Sequence, residues 1–310
     1  MKYFLIINPR SRNERSRKRF GRILEEFGKK GLDFDQVFVS SYKSIRAESE
    51  FANRNGYDAV VAVGGDGTIN AAINGFYDAN GNRISQALFG VIYTGTSPDF
   101  CKSYGIPLDE SRAIGAFIHP RVRPIRTGKI MFRNAAVPHV TETRFFACCA
   151  NIGLGAGVAS VSNKIRKYTG DLAGTLTAIL WNLAAHGSSN LDVSVDGITA
   201  ELPRVLNISA GRTKYIASGI RVPGGIPDDD DRIYLLTAKN ISLKVLPGLL
   251  RQVYSGKLTS PEILEFKYAR HVEFRSNDGP VGVEFDGDAA GYLPCTIELA
   301  ADSLDLIVDR

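Results

Sequence analysis

The chain has few of the residues that build metal centres or disulfide scaffolds. Its 310 residues include four cysteines and four histidines. Cys101, Cys148, Cys149 and Cys295 show no metal-ligand spacing, and Cys148 adjoins Cys149 within RFFACCANIG, where strand alternation sends neighbours to opposite faces. They read as buried free thiols in a reducing compartment. His119, His139, His186 and His271 stand singly, which leaves a zinc site without support. Long apolar runs are also missing. The longest, around Leu176 to Ala185, falls far short of the ~20 residues a spanning helix needs. The opening MKYFLIINPR passes into a strand-like segment without an apolar leader and cleavage site. A cytoplasmic protein with no integral membrane segment is expected.

What remains is an ordinary globular composition, 44% hydrophobic and 23% charged, over a length that suits two domains. The net charge of +5 is unevenly placed. Arg10, Arg12, Arg15, Arg17, Lys18, Arg19 and Arg22 crowd one short stretch against Glu14 alone, so the rest of the chain is close to neutral. Such a cluster suits phosphate groups, on a nucleotide or on anionic lipid headgroups, or it is a solvated helix face. No aromatic platform accompanies these arginines, which argues against nucleic acid as a partner.

The first third alternates strands and helices. Strands are expected at Tyr3–Asn8, Asp35–Ser40, Asp58–Val63 and Ala87–Tyr93, with helices over 15–30, Ile45–Asn55, Ile69–Tyr77 and Ser111–Phe117. DAVVAV at 58–63 has the apolar, β-branched character of a strand buried on both faces. The pattern predicts an α/β domain with a doubly wound parallel sheet, whose ligands bind beyond the carboxyl ends of the strands. After about residue 124 the texture changes to short strands, among them Ile125–Phe132, Arg144–Asn151, Arg204–Ser209 and Val281–Phe285, with one helical stretch at Ser162–His186. A C-terminal antiparallel β-rich sandwich is expected. The domains read as 1–124 and 125–295, with a last strand in 296–310 returning to the first.

The chemistry concentrates at strand ends. In VVAVGGDGTIN, Val60 to Asn70, a buried strand runs into Gly64-Gly65 and then a helix. Glycines there let the backbone approach a phosphate, and the helix N-terminus adds its dipole. Asp66 makes sense beside a phosphate if Mg²⁺ mediates, and Thr68 can cap the helix and offer its hydroxyl. A structural turn with a cap is the alternative. The next strand ends alike, in FGVIYTGTSPDF, and Asp99 with Asp66 would flank one phosphate–metal site of the kind phosphoryl transfer requires. Asn8-Pro9-Arg10-Ser11 adds a third loop with phosphate donors at the same edge.

IINPRS, GGDGTIN, GTSPDFCKSYGIP, NIGLGAGV, IPDDDD and FDGD follow one another in an order that resembles the diacylglycerol kinase catalytic family. The likeness spans nearly the whole chain and is strongest to bacterial soluble lipid kinases, relatives of sphingosine and ceramide kinases and, more distantly, of NAD kinases. It implies an ATP-dependent lipid kinase, peripheral at an anionic membrane surface, with ATP in the interdomain cleft and a lipid pocket in the β-rich domain. A homodimer is compatible with it. The resemblance assigns nucleotide contacts to Asn8, Pro9, Arg10, Ser11, Arg12, Gly65, Asp66, Gly67, Thr68, Ile69, Asn70, Ala71 and Thr96, and to a hydroxyl residue after the second strand, Ser40 or Ser41, with Ser41 preferred. It also implies a structural Mg²⁺ in the second domain, at Ile226, Asp229 and Asp231, and a general base at Asp288.

This chain departs from the family pattern at Arg12 for a glycine, Ala71 for a glutamate and Pro98 for an asparagine. The base is Asp288 where the family has glutamate, which shortens its reach by ~1.5 Å at a step governed by geometry. An NAD-kinase-like enzyme on a soluble substrate and a non-catalytic nucleotide- or lipid-binding homologue are the alternatives.

Overall fold

A computed structural model of the chain describes residues 1–9, 14–78, 80–137, 139–153, 188–216, 219–222, 226–227, 229–239, 263–286 and 288–309, with the backbone alone for 14–17 and 288–289. Two compact units emerge, 1–126 with 300–310, and 127–299. The first carries β1 (Lys2–Ile7), α1 (Glu14–Lys29), β2 (Asp33–Phe38), α2 (Tyr42–Arg54), β3 (Ala59–Gly64), α3 (Asp66–Ile73), β4 (Leu88–Tyr93), α4 (Asp99–Tyr104), α5 (Glu110–Gly115) and β5 (Arg121–Ile125). The second carries β6 (Gly128–Asn134), β7 (Thr141–Phe146), β8 (Cys149–Gly153), β9 (Ser189–Val195), β10 (Ile198–Gly211), β11 (Tyr215–Ile216), β12 (Ile220–Arg221), β13 (Ile233–Lys239), β14 (Leu264–Ala269), β15 (His271–Ser276), β16 (Gly282–Phe285) and β17 (Asp288–Leu299). The chain then returns to the first unit as β18 (Leu304–Val308).

The first sheet has the order β2-β1-β3-β4-β18-β5, parallel throughout except for β5. All six residues of β3 are buried, as its apolar run requires, because helices cover both faces of the sheet. On one face Phe20, Ile23 and Phe27 of α1, with Ile114 of α5 and Phe117 just after it, meet Tyr3, Leu5, Ile7, Val61 and Val63. On the other, α2 and α3 lock together through the Ser49 hydroxyl, which donates to the Ala72 carbonyl at 2.6 Å. β18 is fixed by Arg83, whose nearly buried guanidinium pairs with Asp305 at 3.0 Å and donates to Ala87 O at 2.6 Å.

The second unit is antiparallel and β-rich, as the pattern of short strands predicts. Its ten-stranded sheet runs β14-β13-β10-β8-β16-β17-β15-β9, and β9 also pairs with β10. β10, β8, β16, β17, β15 and β9 therefore close into a six-stranded barrel, so the facing layers of a sandwich are here two walls of one sheet. β13 and β14 extend from β10, and β6 and β7 from β17. The core includes Ile152, Ile208, Ala210, Val272, Phe274, Val283, Phe285 and Ile297.

Two stretches expected as single strands are split. The run 125–132 breaks between β5 and β6, where the chain passes from one unit to the other. The run 144–151 breaks at Ala147 and Cys148, whose amides are taken by a side chain from outside the ladder (below). The helix expected at Ser162–His186 lies outside the described residues.

Gly128 pairs with Phe146, and a Cβ placed on it would run into the Phe146 ring, itself almost fully buried. Gly128→Ala should destabilise the second unit by about 1–3 kcal/mol, the usual range for overpacking a filled core. A lower urea midpoint at unchanged m-value is the expected result.

Candidate active site

The order β2-β1-β3-β4 places a topological switch between β1 and β3, where successive connections leave to opposite sides and a crevice opens beyond the carboxyl ends. The residues just past those ends are the ones the motifs single out. Asn8 follows β1, and its backbone N–H donates to Val63 O at 3.0 Å. Its side-chain amide crosses the switch point and donates to Thr68 Oγ1 at 2.8 Å. Asn8 Oδ1 is buried and makes no hydrogen bond among the described residues. Gly65 stands at the N-cap of α3, and its carbonyl accepts from the Thr68 and Ile69 amides at 2.8 and 3.1 Å.

Gly65 and Gly95, from the β3–α3 and β4–α4 loops, approach face to face. A Cβ on Gly95 would fall 2.6 Å from Gly65 Cα and 2.7 Å from the Tyr93 hydroxyl, and one on Gly65 would fall 3.2 Å from Gly95 Cα. A Cβ on Gly64 would strike the Thr68 side chain. This is a glycine cradle at a helix start, the arrangement that lets backbone N–H groups reach a phosphate.

Asp66 opens α3 and Asp99 opens α4. Both bear on Tyr93, whose phenol is pushed up first by burial and then by the negative charge of Asp66, with Cys101 and Asp99 adding to it. The Cys101 thiol is raised by burial and by Asp66 in the same way, so it stays protonated and is no nucleophile. Two acids at adjoining strand ends thus add negative charge to this part of the first unit. They suit a Mg²⁺ that takes one or two carboxylates and completes its shell with phosphate oxygens and water.

Of the other residues assigned by resemblance, Gly67 and Thr68 lie in the first turn of α3, with Thr68 buried. Asn70 is buried too and is bonded within the helix by the Asn74 amide at 2.9 Å to its carbonyl. The Ile69 and Ala71 side chains belong to the core. Pro9 follows Asn8, Thr96 is exposed in the β4–α4 loop, and Ser41 caps α2 by accepting from the Ser44 amide at 3.1 Å. Arg10, Ser11 and Arg12 lie outside the described residues. Arg19 of the basic cluster reaches the end of β4 instead, donating to Thr94 O and Tyr93 O at 3.2 and 3.4 Å while paired with Glu110.

In the second unit, Asp286 of the FDGD motif holds a backbone turn. Its carboxylate accepts from the amides of Ala147, Cys148 and Cys149 at 2.5, 2.8 and 3.2 Å, and its own N–H donates to Cys149 O at 3.1 Å. Its φ of 50° is the left-handed region that aspartate tolerates better than most residues. Asp288 begins β17 and pairs with Phe285, and its side chain lies outside the described residues. Sequence reasoning missed the neighbouring network. Glu284 is buried and accepts from the Asn151 amide at 2.5 Å, and Asn151 Oδ1 accepts from Ser209 and Asn207 at 2.5 and 3.3 Å. These residues alternate with the core positions Ile152, Val283 and Ile208, a parity visible along each strand that does not show which strands meet.

In the acidic run, Asp229 is exposed, and Ile226 is half-buried against Val222 and Tyr234. Asp230 pairs with Arg232, which holds its carboxyl down at about 2. Asp231 pairs with Arg270 at 2.8 Å. Among the described residues no group of three or more His, Cys, Asp or Glu side chains could hold a metal.

A family model for the diacylglycerol kinase catalytic domain matches residues 2–130, and one for the YegS C-terminal NAD kinase beta sandwich-like domain matches residues 149–308. The chain belongs to the diacylglycerol kinase catalytic family with a YegS-type C-terminal domain. Among curated relatives, a diacylglycerol kinase of Staphylococcus aureus is 23% identical over 294 residues, covering 94% of this chain and 87% of its own. One of Bacillus subtilis is 31% identical over 128 residues, 41% of each chain. A crystal structure of a putative diacylglycerol kinase from Bacillus anthracis covers 99% of this chain and 97% of its own, at TM-score 0.77 and 16% identity. Yeast NADH kinase covers 100% of this chain and 84% of its own at TM-score 0.56 and 10% identity, a likeness of fold. Membership in the family carries ATP use with it. No helix among the described residues is long and apolar enough to cross a membrane.

Removing the Asp286 carboxylate would strand three amides at the β7–β8 turn. Asp286→Ala should cost about 2–4 kcal/mol, since charge-assisted bonds and part-buried donors are lost together. Amide hydrogen exchange should accelerate at Ala147–Cys149 before it does elsewhere in the barrel.

Proposed function

We propose that this protein is an ATP- and Mg²⁺-dependent kinase that transfers the γ-phosphate to the hydroxyl of a lipid, diacylglycerol-like or sphingoid. The observation that carries this reading is the cradle at the switch point, where Gly65 meets Gly95 and Asp66 and Asp99 both act on the Tyr93 phenol. The β3–α3 and β4–α4 loops would bind the triphosphate through backbone N–H groups and the Thr68 and Thr96 hydroxyls, while Asn8 Oδ1 would accept from a nucleotide hydroxyl or a metal-bound water. Mg²⁺, held by Asp66 and Asp99, would neutralise the phosphate charge and orient it. Asp288 would accept the proton of the lipid hydroxyl as its oxygen forms the new bond to the γ-phosphorus, the bond to the bridging oxygen breaks and ADP leaves. Asp286 would hold the turn from which Asp288 projects.

The test is a phosphoryl-transfer assay with labelled ATP on diacylglycerol, sphingoid bases, a total lipid extract and NAD, with the products identified by mass. A phosphorylated lipid is the expected product. Phosphorylated NAD, or no product from any acceptor, would sink the reading. Asp66→Asn should abolish transfer and leave the fold intact. Asp288→Asn should lose ~10²–10⁴ in rate with ATP affinity little changed, the usual cost of removing a general base. Asp288→Glu should retain or raise activity by restoring the longer side chain of the family. Equal activity of wild type and Asp288→Asn would place the base elsewhere.

Access to the lipid would come through peripheral binding at an anionic surface, supported by the basic cluster, in which Lys18 and Arg22 are exposed on α1. Co-sedimentation with vesicles containing phosphatidylglycerol should weaken as salt rises, because exposed charges are screened within ~10 Å at 0.1 M. Equal binding to neutral and anionic vesicles would refute this route.

A further inference from the structure

The run after Ile226 is where the resemblance implies a structural Mg²⁺, and the described donors there do not fit one. Asp230 is engaged by Arg232 through both oxygens, at 3.0 and 2.6 Å, and Asp231 by Arg270. The loop carbonyls are engaged as well. The guanidinium of Arg212 donates from Nη1 to Asp230 O and Arg232 O, both at 2.6 Å, and from Nη2 to Pro227 O at 2.7 Å. A Mg²⁺ would need near-octahedral oxygens at about 2.0–2.1 Å. Here three carbonyl oxygens converge on a planar cation at hydrogen-bond distances, and Asp229 alone among the described acids of the run has a carboxylate outside these arginine pairs.

We propose that Arg212 takes the place of the structural metal ion, so that the 227–232 loop is organised by a built-in guanidinium and the second unit folds without a divalent cation. Arginine suits this role because its charge is permanent and its donors form a rigid fork that can serve several carbonyls at once. Arg212 is also anchored from behind. It follows the end of β10, its own N–H donates to Cys148 O at 3.3 Å, and the Thr213 hydroxyl donates to the same carbonyl at 3.3 Å. Cys148 is one of the three residues whose amides Asp286 holds. The arginine thus ties the acidic loop to the turn before β8, a connection that a diffusible ion would have to make anew in each molecule. Two acids of the run, Asp230 and Asp231, are matched by Arg232 and Arg270, which eases the repulsion that would otherwise call for a metal.

The experiment is thermal unfolding of the nucleotide-free full chain in Mg²⁺ and in EDTA. The wild type should melt at the same temperature in both. Arg212→Ala should melt lower by roughly 5 °C or more, with Arg212→Lys between them, because a single ammonium cannot span all three carbonyls. A wild-type midpoint that rises with Mg²⁺, with the rise lost in Asp229→Ala, would overturn the proposal by showing a metal at this loop. So would an Arg212→Ala protein as stable as wild type. The wild-type comparison decides the matter even if Arg212→Ala fails to fold.

Discussion

Two loop backbones meet at Gly65 and Gly95 more closely than any side chain would allow, and the first unit is arranged around that contact. It requires β3 and β4 to be neighbours in parallel, with their last residues, Gly64 and Tyr93, in register. That register in turn requires a sheet covered on both faces, because a parallel strand as apolar as AVVAVG finds no stable place beside water. One of the helices that cover the sheet, α3, is also the one whose N-terminus delivers Asp66. Burial of the core and placement of the site are therefore the same structural event. Tyr93 links them, since its ring is buried and its hydroxyl sits against the two glycines, where the charges of Asp66 and Asp99 reach it.

In the second unit a carboxylate does the equivalent work. Asp286 draws three consecutive amides out of the ladder, so one strand becomes β7 and β8 and the barrel wall turns there. Its left-handed φ has a cost that three charge-assisted hydrogen bonds offset. The FDGD motif therefore has two parts, an aspartate fixed in the frame and, two residues on, a residue at the start of β17.

Features written in short-range patterns were legible in the sequence. Apolar runs ended by Asn-Pro or by glycine gave β1, β3 and β4 and a doubly wound parallel sheet, and short runs between turns gave an antiparallel second unit. Features that depend on residues far apart were not legible. The break at Ala147 is caused by Asp286, and nothing in RFFACCANIG marks it. The β9–β10 pairing that closes the barrel has no local signature. Arg19 read as one member of a basic cluster, yet it serves the end of β4, some 75 residues away in the chain. Arg212 drew no notice because an isolated arginine on a polar segment looks like surface. Glu284 lies inside the expected strand Val281–Phe285, and only the meeting of three strands gives it Asn151, Ser209 and Asn207 as company. α4 was missed because six residues are too few to show a helical period.

The two acid-rich places of the chain show why a count of aspartates does not identify a cation site. Around 228–231 the acids are dense, but Arg232, Arg270 and Arg212 supply positive charge to the carboxylates and the carbonyls alike, and Asp230 is held ionised down to about pH 2 by its arginine. Asp230 and Asp231 are matched there by the chain's own arginines. Beyond β3 and β4 two aspartates are involved: burial first and then the charge of Asp66 raise both the Tyr93 phenol and the Cys101 thiol, and Asp99 adds to the phenol alone. A phosphate brought to such a place meets like charge, and backbone amides with a helix dipole offset only part of that repulsion. A divalent ion shared between the carboxylates and the phosphate removes the conflict. The same residue type thus argues for a metal in the first unit and against one in the second, and the difference lies in which cations the fold brings alongside.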